Sequence, residues 1–276
     1  MKKILFLTAT ALGVASQAFA LNPTNSFYVP KKGNFLFRGD AAWTRAQDTT
    51  STDTYTSIDG MYGLTNGVAL ITGVYENPQL LGIARFIARD RTGEMKESRI
   101  PEVGIRFVPC LDKGFRLAAE MAYGFGSYGS DTTKHDYIRA KLTVGKKIGD
   151  FIFGAFADYA HYYRFAKNTT DDGWINIHNA NFYGGGLVAT YNVNDKTSLD
   201  LTWRHSFKDK ASMRYGLFDL NVKSHYQDAI KVSATHEFRN GVYVTPYVGY
   251  TWVDKWYASA FNRNTTTFGV NVAVEF

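Results

Sequence analysis

The C-terminal end constrains this chain more than any other part of it. From Thr267 to Phe276 the even positions, Phe268, Val270, Val272, Val274 and Phe276, are all apolar, and Gly269, Asn271, Ala273 and Glu275 lie between them. Strict alternation describes an extended strand with one face in oil and the other towards something polar. A tilted strand needs roughly 9–11 residues to cross a hydrocarbon core, and this segment has that length.

The other end of the chain says where such a strand would be used. Lys2 and Lys3 precede an apolar run from Ile4 to Val14, and Ala18-Phe19-Ala20 closes the segment. This is the charged, apolar and small-residue order of a secretory signal peptide, so residues 1–20 are set apart from the fold. The mature chain is expected to begin at Leu21, and no Cys near the cleavage point offers a lipid anchor. Beside such a leader, the ending Phe268 to Phe276 resembles the C-terminal signal of Gram-negative outer-membrane β-barrel proteins. The resemblance covers one strand. It implies a bacterial outer-membrane location, contact with outer-membrane lipids, and reading of the last strand by the barrel-assembly machinery.

The same period recurs along the chain. Phe115, Leu117, Ala119, Met121, Tyr123 and Phe125 alternate with Arg116, Ala118, Glu120, Ala122, Gly124 and Gly126. Leu199, Leu201 and Trp203 alternate with Asp200, Thr202 and Arg204, and Lys231, Ser233, Thr235 and Glu237 with Ile230, Val232, Ala234 and Phe238. A soluble sandwich also alternates, but its strands average five or six residues, about half of what is read here. Strands are expected at 33–45, 54–64, 67–77, 100–110, 115–127, 135–147, 151–164, 178–192, 197–207, 224–238, 242–253 and 264–276. The fold class is therefore all-β: one antiparallel transmembrane barrel spanning residues 33–276, of about twelve strands, with ten or fourteen as alternatives.

The connections alternate in length. Short turns rich in Asn, Asp and Gly fall at 64–67, 110–114, 147–150, 193–196 and 239–241. The others are longer and polar, at 47–53, 77–99, 165–177 and 208–223. Outer-membrane barrels have short periplasmic turns and long extracellular loops, so both chain ends belong in the periplasm. Segment 80–88 reads either as strand extension or as a loop helix. Pro246 lies inside a strand, where its missing N–H predicts a bulge or weak pairing.

Aromatics make up 16% of the chain, with 18 Tyr and 20 Phe, and their positions suit interfacial girdles. Trp43, Tyr123, Tyr159, Trp203, Tyr250 and Trp252 fall at the external strand ends, and Tyr62, Phe115, Phe151, Tyr191, Phe238 and Phe276 at the periplasmic ones. The segment 21–32, Leu21-Asn-Pro-Thr-Asn-Ser-Phe-Tyr-Val-Pro30 and two lysines, is extended. It either hangs in the periplasm or folds back as a small plug. Gly184-Gly185-Gly186 sits within a strand and offers close approach to such a segment or a loop.

Projecting the alternation inward assigns the cations Arg38, Arg106, Arg116, Arg139, Lys141, Arg204 and Lys231 to the lumen. The anions are Asp40, Asp59, Glu102, Glu120, Asp200, Glu237 and Glu275. Such charges either line a water-filled path between opposed walls or pair across a narrow interior and close it. Twelve strands lie between the packed barrel of about eight and the open channel of about 16–18.

Other function classes have less to stand on. Taking Lys2 and Lys3 from the formal +6 leaves +4 without a basic stripe, so no nucleic-acid partner is expected. The single Cys110 gives no disulfide framework and reads as a small hydrophobe by a turn. Outer-membrane lipid hydrolases carry His and Ser two apart on one strand face. Here His205-Ser206 and Ser224-His225 are adjacent, so no catalytic residues are assigned. His135, His161, His178, His205 and His225 cluster near external strand ends, but they are spread over several strands. No metal or cofactor is assigned. The 77–99 loop carries Arg85, Arg89, Arg91, Lys96 and Arg99, suited either to solvent or to lipopolysaccharide phosphates. The expected function is a channel for passive diffusion of small polar solutes, the alternative being a closed barrel acting through its extracellular loops.

Overall fold

The computed structural model describes residues 22–47, 52–76, 99–109, 111, 113–125, 137–170, 173–208, 211–215, 218–222, 225–253 and 264–276. The leader, Cys110, His135, segment 80–88 and the basic loop lie outside the described residues.

Twelve strands form a closed antiparallel barrel. They are β1 (Phe35–Ala46), β2 (Thr52–Thr65), β3 (Val68–Glu76), β4 (Arg99–Phe107), β5 (Phe115–Gly124), β6 (Tyr137–Ile148), β7 (Phe151–Thr170), β8 (Gly173–Asn194), β9 (Thr197–Lys208), β12 (His225–Arg239), β13 (Val242–Val253) and β14 (Thr265–Glu275). Between β9 and β12 the chain adds a short hairpin, β10 (Ala211–Tyr215) and β11 (Phe218–Val222). Each barrel strand pairs with its sequence neighbours, β9 passes directly to β12, and β14 pairs with β1 along its length. Closure leaves the barrel no open edge in the membrane, where an unpaired peptide group would find no water.

The faces sort as the alternation requires. Phe37, Ile58, Leu70, Ile105, Met121, Leu142, Leu187, Leu201, Val232 and Phe268 are exposed on the outside. Leu36, Ala42, Asp59, Glu102, Thr143, Asp200, Ser233 and Asn271 are buried on the inside. Aromatic rings ring both ends: Phe35 stacks on Phe276 and meets Tyr62, and Phe151 stacks on Tyr191. At the other end, Trp43, Trp203 and Trp252 are exposed.

The tight turns sit where their residues allow. Lys113, Gly114, Gly149 and Gly241 take positive φ, which at three of the four positions is met by glycine. Two expectations need correction. Pro246 causes no bulge, and its register with Val270 is continuous; towards β12 the ladder breaks between Ser233–Tyr247 and His236–Val244, so the expected weak pairing is what the structure shows. The side chains of Thr235 and Thr245 bond each other at 2.9 Å beside the proline and tie the two strands there.

The second correction concerns connections 165–177 and 208–223, which are largely strand. β7 and β8 run on together to a tight end at Thr170 and Gly173. β10 and β11 continue the register of β9 and β12, with Lys208 facing His225 and Ala211 facing Val222. One side of the barrel wall therefore rises above the rest. The alternation does not reveal this because a bulge between Arg164 and Ala166 shifts the inward and outward positions.

Closure at β1 and β14 rests on paired bonds at the chain end. Phe35 and Phe276 exchange both backbone bonds at 2.9 Å, and their rings stack above them. Removing Phe276 is expected to lower the temperature at which the folded barrel unfolds in detergent, read as the heat-dependent band shift on electrophoresis. An unchanged shift temperature would contradict this account of the seam.

Candidate functional site

The interior is built from the N-terminal segment as well as the strands. Residues 22–34 enter at the short-turn end, where Gly33 N donates to Gly63 O and the carbonyls of Pro30 and Lys31 press on Gly63. A Cβ at residue 63 would collide with those carbonyls, so glycine is required at that crossing. Inside, the segment turns on itself, with Thr24 and Phe27 donating backbone N–H to the side chains of Asn22 and Asn25.

From there it reaches strands all around the wall. Asn22 donates its amide to Asp200, and Asn25 donates to Thr190 at 3.0 Å. The carbonyls of Pro23 and Tyr28 accept from Arg38 (2.7 Å) and Arg106 (3.3 Å). Ser26 accepts from Lys141 at 3.1 Å. Glu275 gathers three donors, the Tyr28 hydroxyl, the Lys31 N–H and the Asn34 amide. Burial first, and then the Glu275 carboxylate, push the Tyr28 phenol well above its ordinary pKa, so it stays a donor. Phe27 packs with Ala118 and Ile152, while Tyr28 and Val29 pack with Leu36, Met61, Ala69 and Ile71. These inward apolar residues depart from the small and charged interior that the alternation suggests.

Beyond the segment the charged side chains meet in pairs. Arg38 binds Asp59 at 2.5 Å, and Arg106 binds Glu120 at 2.6 Å. Arg139 reaches both Glu102, at 2.5 Å, and Glu120. Arg204 binds Asp158 at 2.8 Å. Asp40 accepts from the Tyr247 hydroxyl at 2.8 Å, and Glu237 accepts the Gly241 N–H at the turn. Arg116 occupies an inward position opposite Gly145. Lys231 faces inward with its ammonium over the Tyr247 ring.

Several of these contacts skip a strand, and glycine makes the skip possible. Tyr137 on β6 lies over Gly124 of β5 and donates to Glu102 on β4 at 2.6 Å. Tyr247 on β13 lies over Gly269 of β14 to reach Asp40 on β1. Arg204 on β9 passes over Gly184 of β8 to Asp158 on β7. In each case a Cβ on the crossed strand would occupy the same space as the bridging side chain. Gly184 of the triple glycine thus makes room for an ion pair between strands two apart, while the N-terminal segment packs on Gly63, Gly145 and Gly154.

Asp158, Tyr137, Tyr247, Asn22 and Asn25 belong to this interior and do not stand out in the sequence. Asp158 shares its strand face with Ile152, Phe156 and Ala160, so that face reads as apolar. Of the histidines on the outer surface whose side chains are described, His161 bonds Asn181, His205 bonds Asp228 and His236 bonds Thr197. No group of three metal-binding side chains occurs among the described residues. His205 and Ser206 are turned to opposite faces, with Ser206 accepting from Arg204 at 2.8 Å.

This fold is that of a Gram-negative outer-membrane β-barrel. An outer membrane channel of Pseudomonas putida F1 superposes with a TM-score of 0.64 at 12% identity, over 92% of this chain and 99% of that one. The NanC porin superposes with a TM-score of 0.53 at 13% identity, over 86% and 98%. Residues 87–223 match the family described as "Putative MetA-pathway of phenol degradation". No curated protein sequence matches the chain.

The central ion pairs are coupled through Arg139, which serves two carboxylates, Glu102 and Glu120. Replacing it with Ala leaves Glu102, which is 2% exposed, without its charge partner. Removing one partner of a buried pair typically costs about 3–5 kcal/mol. Arg139→Ala is expected to lose that much in urea unfolding from lipid vesicles, and the further change Glu102→Gln to restore part of it. Additive losses in the double variant would show that the two side chains are not coupled.

Proposed function

We propose that this barrel is an outer-membrane channel for passive diffusion of small polar solutes, with the N-terminal segment as a resident plug in its periplasmic half. The observation that carries this reading is the state of Lys231. It lies on the inward face of β12, yet much of its surface is exposed. An interior lysine in that condition faces water, so the space beyond the segment is a wet lumen rather than a packed core.

The charge layout supports the same reading. On the β4–β9 wall the cations Arg106, Arg116, Arg139, Lys141 and Arg204 outnumber the acids Glu102, Glu120, Asp158 and Asp200 by one. On the β12–β2 wall Asp40, Asp59, Glu237 and Glu275 outnumber Arg38 and Lys231. Opposed walls of this kind set a field across the path that orients polar solutes. The structurally similar proteins named above are described as a channel and a porin, which agrees with this use of the fold. The phenol-degradation family adds small hydroxylated aromatics to the solutes worth testing.

One observation favours a closed barrel instead: most interior charges are paired, and the segment fills one half. Planar-bilayer conductance separates the two readings. The mature chain is expected to show small or infrequent steps, and a variant lacking residues 22–30 larger and more frequent ones. Tyr28→Phe with Asn22→Ala should fall between them. Silence from every variant would sink the channel reading, and equal conductance with and without the segment would sink the plug.

A further inference from the structure

We propose that Lys231 is the specificity-determining residue of the open lumen and that it selects small organic anions, carboxylates in particular. The inference rests on the channel reading above and extends it to the class of solute.

Among the inward cations whose contacts are described, the neighbours single out Lys231. Arg38, Arg106, Arg139 and Arg204 each hold a carboxylate of the wall. Lys141 also lacks an ion pair, but its ammonium is capped by Ser26 of the N-terminal segment and lies over the Phe156 ring at 4.8 Å. Among the described residues Lys231 has neither a paired carboxylate within ion-pair distance nor a cap, and its ammonium lies over the Tyr247 ring, 5.2 Å from the ring centre.

An ammonium carries three donors and a ring face satisfies none of them fully, so water completes the shell of Lys231. An incoming carboxylate replaces that water without disturbing any ion pair of the wall. The closest acids, Asp40 and Asp200, do not compete for it. Asp40 accepts from Tyr247, and Asp200 from Thr190 and Asn22. The oxygens of both acids are thus engaged by other donors.

The aromatic neighbour explains why organic anions are favoured over halide. Tyr247 is fixed at two points, its hydroxyl on Asp40 and its ring over Gly269, so it presents a firm apolar surface beside the ammonium. A carboxylate with a flat or short apolar body meets both features. A halide meets only the charge. On the opposite wall the excess of Arg and Lys faces the same water, so an anion leaving Lys231 moves towards further positive charge.

The test is the reversal potential of single channels of the full mature chain under a gradient of potassium benzoate, and separately of potassium chloride. Wild type is expected to favour the anion, more strongly with benzoate. Lys231→Gln should lower the benzoate-to-potassium permeability ratio by roughly threefold or more. Lys231→Arg should retain it, and Lys146→Gln, on the outer face against Phe115, should leave it unchanged. A conducting Lys231→Gln channel with wild-type selectivity would overturn this inference and leave the channel reading intact. A wild-type chain that conducts neither salt, with or without residues 22–30, would overturn both.

Discussion

Inside a bilayer a peptide N–H has no water to fall back on, and a sheet can meet that condition only by closing on itself. In this chain closure is the meeting of β1 with β14, from Leu36 against Glu275 to Ala46 against Thr265. Once that seam is fixed, every side chain in the membrane has one of two environments. The residues facing lipid are apolar and exposed. Those facing inward share a space too narrow for so many charges to stay fully hydrated. Burying a charge without a partner is costly, and the interior answers with pairs.

The pairs are not only between adjacent strands, and this gives the barrel its stiffness against ovalisation. Backbone bonds hold neighbours. Bridges from β6 to β4, from β9 to β7 and from β13 to β1 fix the angle between strands two apart. Each depends on a glycine in the crossed strand, at 124, 184 or 269, where absence of a side chain is the useful property. A glycine in a strand lowers sheet propensity when taken alone. Here it admits a charge-assisted or phenolic hydrogen bond, typically worth about 1.5–3 kcal/mol when one partner is ionised.

The amino-acid pattern makes the barrel, its twelve strands and their short turns legible, because lipid imposes a strict period of two. Legibility ends where that period is broken or local. The bulge at Arg164 and Ala166 hides the tall extension of β7 and β8. Asp158 is masked by apolar neighbours on its own face, since its partner Arg204 comes from two strands away. Leu36, Met61, Ile71 and Ile152 are apolar at inward positions, an exception to the alternation. In the structure they are the seat of Phe27, Tyr28 and Val29. Apolar residues on the wet face of a barrel strand are therefore a sequence signal for something resident in the lumen, and they sit here beside an extended N-terminal segment.

That seat sets how firmly the segment is held. If it left, the wall's own pairs would largely survive: Arg38 keeps Asp59, Arg106 keeps Glu120 and Asp200 keeps Thr190. Lys141 would lose Ser26, but it faces its cross-strand neighbour Asp158, whose Oδ2 has no partner. The Glu275 carboxylate, by contrast, would lose every side-chain bond described for it. The polar contacts therefore favour retention weakly, because most have an alternative. Apolar burial favours it more, on the order of 2 kcal/mol for each large side chain taken from water. Under the plug reading proposed above, a wall complete without the segment and a segment seated mainly by a few apolar residues describe a closure that is stable at rest and separable without unfolding the barrel. Had the ion pairs run between segment and wall, displacement would have exposed uncompensated charge, and the two could not part.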